Sequence, residues 1–126
     1  MSVAAPAIVI GYTAKPEGRA ALQRALEEAR LREARLVVVH TSGPDELAEL
    51  DRDLRDTGVP YEVLEAPDAL DPAEELIRAA DDAAAAFIVI GLRRRSPVGK
   101  LLLGSNSQRV LLDASCPVLA VKAAAL

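Results

Sequence analysis

The chain of 126 residues has no tryptophan, one phenylalanine and two tyrosines. With so few rings it cannot build the stacking platforms on which single-stranded nucleic acid is held. Its one cysteine, Cys116, excludes a disulfide within the chain, and nothing points to an oxidising compartment. Its one histidine, His40, is accompanied by no cysteine or second histidine, so no metal site built from protein ligands is expected. Positive charge is also short, with 15 Lys and Arg against 19 Asp and Glu and a formal net charge of −4. Such a balance gives no general attraction to DNA, RNA or anionic membranes. No apolar run approaches the roughly 20 residues of a membrane span, and the opening MSVAAPAIVIG lacks the basic flank and length of a signal peptide. A cytoplasmic chain is therefore expected, with no nucleic-acid or membrane partner.

What is abundant is aliphatic. Hydrophobic residues make up 51% of the chain, enough for one domain across residues 1–126 with a real core. Four runs are continuously apolar: Ala7-Ile8-Val9-Ile10, Leu36-Val37-Val38-Val39, Phe87-Ile88-Val89-Ile90 and Val118-Leu119-Ala120-Val121. Continuity without polar alternation suits strands buried on both faces of a parallel sheet. A fifth run, Tyr61-Glu62-Val63-Leu64, alternates and suits an edge. Helices are predicted between them. Residues 17–33 carry Leu22, Leu26 and Ala29 on one face behind Pro16, and Leu47, Leu50 and Leu54 mark a second helix stopped by Gly58. Asp71-Pro72-Ala73-Glu74 reads as a capping box opening a helix to about Ala84, and Ser105-Asn106-Ser107-Gln108 as another, opening a helix to about Ala114. Strands alternating with helices imply an open doubly wound five-stranded parallel α/β sheet of order 3-2-1-4-5. Ligands bind such sheets where the strand order reverses, here between Gly11-Tyr12-Thr13 and the loop expected to start at Gly91.

That loop, residues 91–105, carries the chemistry. Gly104 allows close approach to a phosphate, Ser105, Asn106 and Ser107 offer the first N–H groups of a helix, and Arg93, Arg94, Arg95 and Lys100 bring positive charge. A P-loop is excluded, because Gly99-Lys100 would need glycine at 94 and Ser or Thr at 101, where Arg94 and Leu101 stand. Ser, His and acidic residues occur without the order of a nucleophile elbow or triad, and no base for a hydrolytic water is apparent. An enzyme is not expected. Cys116, ahead of Pro117, reads as a small buried residue, and His40 as structural.

The spacing Gly91, Gly104-Ser105, together with Leu101-Leu102-Leu103, Val110-Leu111 and Cys116-Pro117-Val118-Leu119-Ala120-Val121-Lys122, resembles the universal stress protein family. Its nucleotide-binding members carry Gly, two residues, Gly, nine residues, then Gly-Ser or Gly-Thr; here Arg94 holds the place of the second glycine. The resemblance implies an adenine nucleotide, ATP or AMP, with Mg²⁺ arriving only on the nucleotide. It implies adenine between Thr41 and Ile90, phosphates on Gly104 to Ser107, and Thr13 where ATP-binding members have an aspartate. It also implies a homodimer through Val118, Leu119, Ala120 and Val121. Thr13 and Arg94 equally fit the family's members that lack the glycine motif, for which a nucleotide-independent interaction module is the alternative.

Overall fold

Each apolar run forms a strand, but the last, expected to be buried on both faces, lies at the sheet edge with Ala120 exposed. The computed structural model describes residues 5–40, 44–65, 71–93 and 104–123. In chain order they form β1 (Ala7–Tyr12), α1 (Pro16–Arg32), β2 (Arg35–His40), α2 (Pro44–Arg55), β3 (Tyr61–Glu65), α3 (Pro72–Ala83), β4 (Phe87–Leu92), α4 (Ser105–Asp113) and β5 (Val118–Lys122). The strands pair in parallel as β3-β2-β1-β4-β5.

Side chains alternate across a strand, and the three central runs, apolar throughout, are covered on both faces. Ile8, Ile10, Leu36, Val38 and Val89 pack with Ala21, Ala25 and Ala29 of α1 and Leu50 and Leu54 of α2. Val9, Val37, Val39, Ile88 and Ile90 pack with Ala73, Leu76 and Ala80 of α3 and Val110 of α4. Edge strand β3 turns Tyr61 and Val63 inward and leaves Glu62 and Leu64 exposed. No helix among the described residues is long and apolar enough to cross a membrane.

The helix starts follow local chemistry, with two corrections. Pro16 and Pro72 open α1 and α3, and Asp71 Oδ1 accepts the Ala73 N–H at 2.9 Å. Glu74, expected to complete a capping box, instead accepts a hydrogen bond from Arg109 Nη2 at 2.6 Å, because a guanidinium is the stronger donor. The box expected at Ser105 is shifted by one residue. Gly104 is the N-cap, extended at φ −66° and ψ 164°, and its carbonyl accepts the Gln108 N–H at 3.0 Å. Ser105 thus falls on the first helical turn, past the position from which a hydroxyl caps.

The strand ends set up the site. Gly91 pairs with Val121 and Leu92 with Lys122, so Gly91 belongs to β4 and does not begin a loop. Likewise Gly11 pairs with Val39 and Tyr12 with His40. The central strands pair with each other only from Ile8–Phe87 to Ile10–Val89. Beyond that point β1 follows β2, β4 follows β5, and the sheet divides.

Candidate functional site

Where the sheet divides, a cavity of about 600 Å³ opens at the strand C-terminal ends. Its wall includes the apolar side chains of Val39, Leu76, Ile90, Leu92 and Val110. Three helix starts reach it: Glu17 and Gly18 of α1, Pro72 and Ala73 of α3, and Ser105, Asn106 and Ser107 of α4.

Two glycines let α1 come so close. A Cβ on Gly91 would overlap the Glu17 carbonyl oxygen, and one on Gly18 would overlap the Thr13 backbone and its Oγ1. Missing Cβ atoms therefore interlock β4, the end of β1 and the first turn of α1. Gly104 differs: a Cβ there meets nothing within 4 Å among the described residues.

The electrostatics separate the three helices. A helix start presents unpaired N–H groups and partial positive charge, which a nearby carboxylate satisfies. The first turn of α1 holds Glu17; α3 is capped by Asp71 and followed by Glu74 and Glu75. The first turn of α4 has no acid, and its N-cap supplies no side-chain bond. It is the start left available to an external anion. Glu17, with its side chain only 15% exposed, lies 3.4 Å from Arg93 Nε, so this arginine is paired beside the cavity. Thr13 Oγ1 is buried with no hydrogen-bond partner among the described residues. Tyr12 packs its ring against the α1–α2 layer, where burial pushes its phenol up despite Arg19 nearby.

Of the residues singled out from sequence, Gly11, Thr13, Ile90, Gly91, Gly104, Ser105, Asn106 and Ser107 line this one cavity. Thr41 and Arg94 lie outside the described residues. Sequence reasoning missed Glu17, Gly18, Val39, Leu76 and Val110. The spacing Ala73, Leu76, Ala80 carried a signal for Leu76, since it marks one helix face. His40 ends β2 at 1% exposure, and alternation turns it away from the face on which Val39 lines the cavity. Cys116 is half-buried against the α3–α4 layer, not enclosed, and desolvation raises its thiol pKa. No group of three or more His, Cys, Asp or Glu that could hold a metal ion occurs among the described residues.

Known proteins share this architecture. The model of the universal stress protein family matches residues 6–122. A universal stress protein of Mycolicibacterium smegmatis is 44% identical over 126 aligned residues, covering 91% of this chain and 96% of the relative. Among solved structures, a universal stress protein of Archaeoglobus fulgidus is 32% identical at a TM-score of 0.70, covering 95% of this chain and 100% of that one. A universal stress protein structure from the same organism, in complex with dAMP, is 26% identical at a TM-score of 0.67, covering 96% and 100%. Matched by the family model from the first strand to the last, and by a close relative along nearly its whole length, this chain belongs to the universal stress protein family.

Proposed function

We propose that the chain binds an adenine nucleotide, AMP or ATP, in the cavity between β1 and β4 and does not turn it over efficiently. The observation that carries this reading is the start of α4: it enters the cavity behind Gly104 with neither a capping side chain nor an acid in its first turn. In this reading the phosphates take the N–H groups of Gly104 to Ser107, and the Ser105 and Ser107 hydroxyls add donors. Arg94, the residue in place of a family glycine, reaches the phosphates as a charged donor. The base lies against the aliphatic wall of Ile90, Leu76 and Val39, with Thr41 beside it, and Thr13 Oγ1 is a spare donor at the sugar end. A relative solved with dAMP supports the ligand class.

Weak turnover is proposed on chemical grounds. Hydrolysis needs a positioned water and neutralisation of charge at the γ-phosphate. The acid lining the cavity among the described residues is Glu17, and Arg93 holds it. Mg²⁺ accompanies the triphosphate in this reading, held mainly by its oxygens. The assembly proposed is a homodimer through β5.

Calorimetry with AMP and ATP at near-physiological salt tests the reading, with micromolar affinity expected, about −8 kcal/mol. Gly104→Val should abolish the heat while leaving the circular dichroism unchanged, because the added methyls stand in the phosphate approach. Absence of heat from the wild-type chain at millimolar AMP and ATP overturns nucleotide binding in favour of a nucleotide-independent interaction module. Phosphate release from ATP at rates typical of enzymes, above about 1 s⁻¹, overturns the proposed lack of turnover.

A further inference from the structure

Behind the cavity, one arginine joins the two helices that bound it on the α3–α4 face. Arg109, one turn into α4 from Ser105, donates from Nη1 to Asp71 Oδ2 and from Nη2 to Glu74 Oε1, each at 2.6 Å. Asp113 Oδ2 lies 3.8 Å from its Nε. Asp71 also uses Oδ1 to cap α3, whose Pro72 and Ala73 line the cavity. The Glu74 hydrogen bond foremost, with Asp71, raises the Arg109 pKa further, and a guanidinium is charged at every working pH in any case.

The carboxylates of Asp71 and Glu74 belong to the start of α3 and would otherwise project a negative field beside the start of α4. We infer that Arg109 is a positioning residue for anion binding: by holding Asp71 and Glu74 it neutralises two carboxylates next to the α4 start and fixes the two helix starts to one another. Arg109 itself touches no ligand in this account. The helices remain packed without it, because Leu76 and Val110 lie in one buried cluster beneath. Its removal therefore acts on the charge beside the α4 start more than on the fold. The inference rests on the nucleotide reading above.

The test compares AMP, ATP and adenosine in wild type, Arg109→Met and Arg109→Lys, with thermal unfolding recorded for each. Met keeps the apolar stem without the charge; Lys keeps one charge but cannot present two parallel donors. In Arg109→Met, AMP affinity is expected to fall about tenfold and ATP affinity further, while adenosine changes less than twofold. Added salt should narrow the gap, because the repulsion is partly exposed and screened. Arg109→Lys should fall between the two. The decisive arm is Glu74→Gln in the Arg109→Met background, expected to recover AMP affinity to within threefold of wild type. A purely structural arginine would lower AMP and adenosine affinity together, in step with the thermal midpoint, because its loss leaves an uncompensated charge that acts on the fold. Equal losses for AMP and adenosine, or no rescue, overturn the inference while leaving nucleotide binding intact. No binding of any nucleotide to the wild-type chain overturns both.

Discussion

At the residue scale, the glycines of one loop motif divide between two tasks. The hydrogen of Gly91 faces the Glu17 carbonyl, and a methyl there can be accommodated only by moving the first turn of α1. Gly91→Ala should therefore destabilise the chain by about 1–3 kcal/mol, the usual cost of overpacking. Gly104→Ala, whose Cβ meets nothing within 4 Å among the described residues and whose φ is ordinary, should stay within about 1 kcal/mol of wild type. Urea midpoints at unchanged m-value measure both, and equal midpoints for the two variants would contradict the interlock. Glu28 makes a separate prediction. It accepts from Arg32 Nε at 3.0 Å and Arg24 Nε at 3.2 Å, and the Arg32 hydrogen bond above all holds its carboxyl below the ordinary value of 4.5. A depressed folded-state pKa favours the ionised form in the native state. Its stabilisation is complete above the unfolded value and is lost as pH falls through the folded one. Carboxyl-carbon NMR should place Glu28 below 4.5, and Glu28→Gln should flatten the acid limb of stability against pH. A titration at or above that value would remove the link.

Elements were more legible in the sequence than the site they build. Three of the four aliphatic runs are doubly covered strands as their continuity predicted, and Tyr61-Glu62-Val63-Leu64 announced an edge by its alternation. The equally apolar Val118-Leu119-Ala120-Val121 is an edge strand with Ala120 exposed, which its continuity did not reveal. Those same runs hid which residues would face a ligand. In Leu36-Val37-Val38-Val39 no polar residue marks a side, so Val39 and its neighbour His40 could not be assigned to opposite faces. Arg109 and Glu17 were invisible for another reason, since their partners Asp71 and Arg93 are 38 and 76 residues away. The motif glycines, by contrast, were readable because their spacing is local. Edges also differ in what they invite. β3 carries Glu62 and Glu65, with Glu62 3.9 Å from Arg35, and charge of this kind discourages strand addition. β5 pairs with β4 alone among the described strands, and it follows a helix whose Leu112 is 81% exposed. Light scattering at tens of micromolar should accordingly report about twice the 13.3 kDa chain mass. Ala120→Pro, which removes a ladder N–H from β5, should shift that mass towards the monomer while the helical circular dichroism persists. A monomer in the wild type, or a dimer indifferent to the proline, would assign the interface elsewhere.

For the whole molecule, the division of the sheet ties binding to global stability. The cavity wall draws on β1, β2, β4, α1, α3 and α4, so a ligand lodged there contacts elements from both halves of the chain. An unfolded chain offers none of this, and a ligand that binds only the native state stabilises it by mass action. At an AMP concentration about 100 times its Kd, that stabilisation is about 2.7 kcal/mol. For a chain of this length it corresponds to a rise of about 10 °C in the unfolding midpoint. The comparison must hold the chain concentration fixed, because a dimer adds its own concentration dependence. Adenosine, unable to use the start of α4, should raise the midpoint much less at equal concentration. Gly104→Val should unfold near the wild-type temperature without ligand and gain nothing from AMP. If wild type and Gly104→Val respond alike, AMP does not depend on the α4 start, and the anion assignment for that helix falls. A wild-type shift below about 1 °C at millimolar AMP means that affinity is too weak for the cavity to serve as a nucleotide site. The divided sheet then has to be understood as a scaffold for protein contacts.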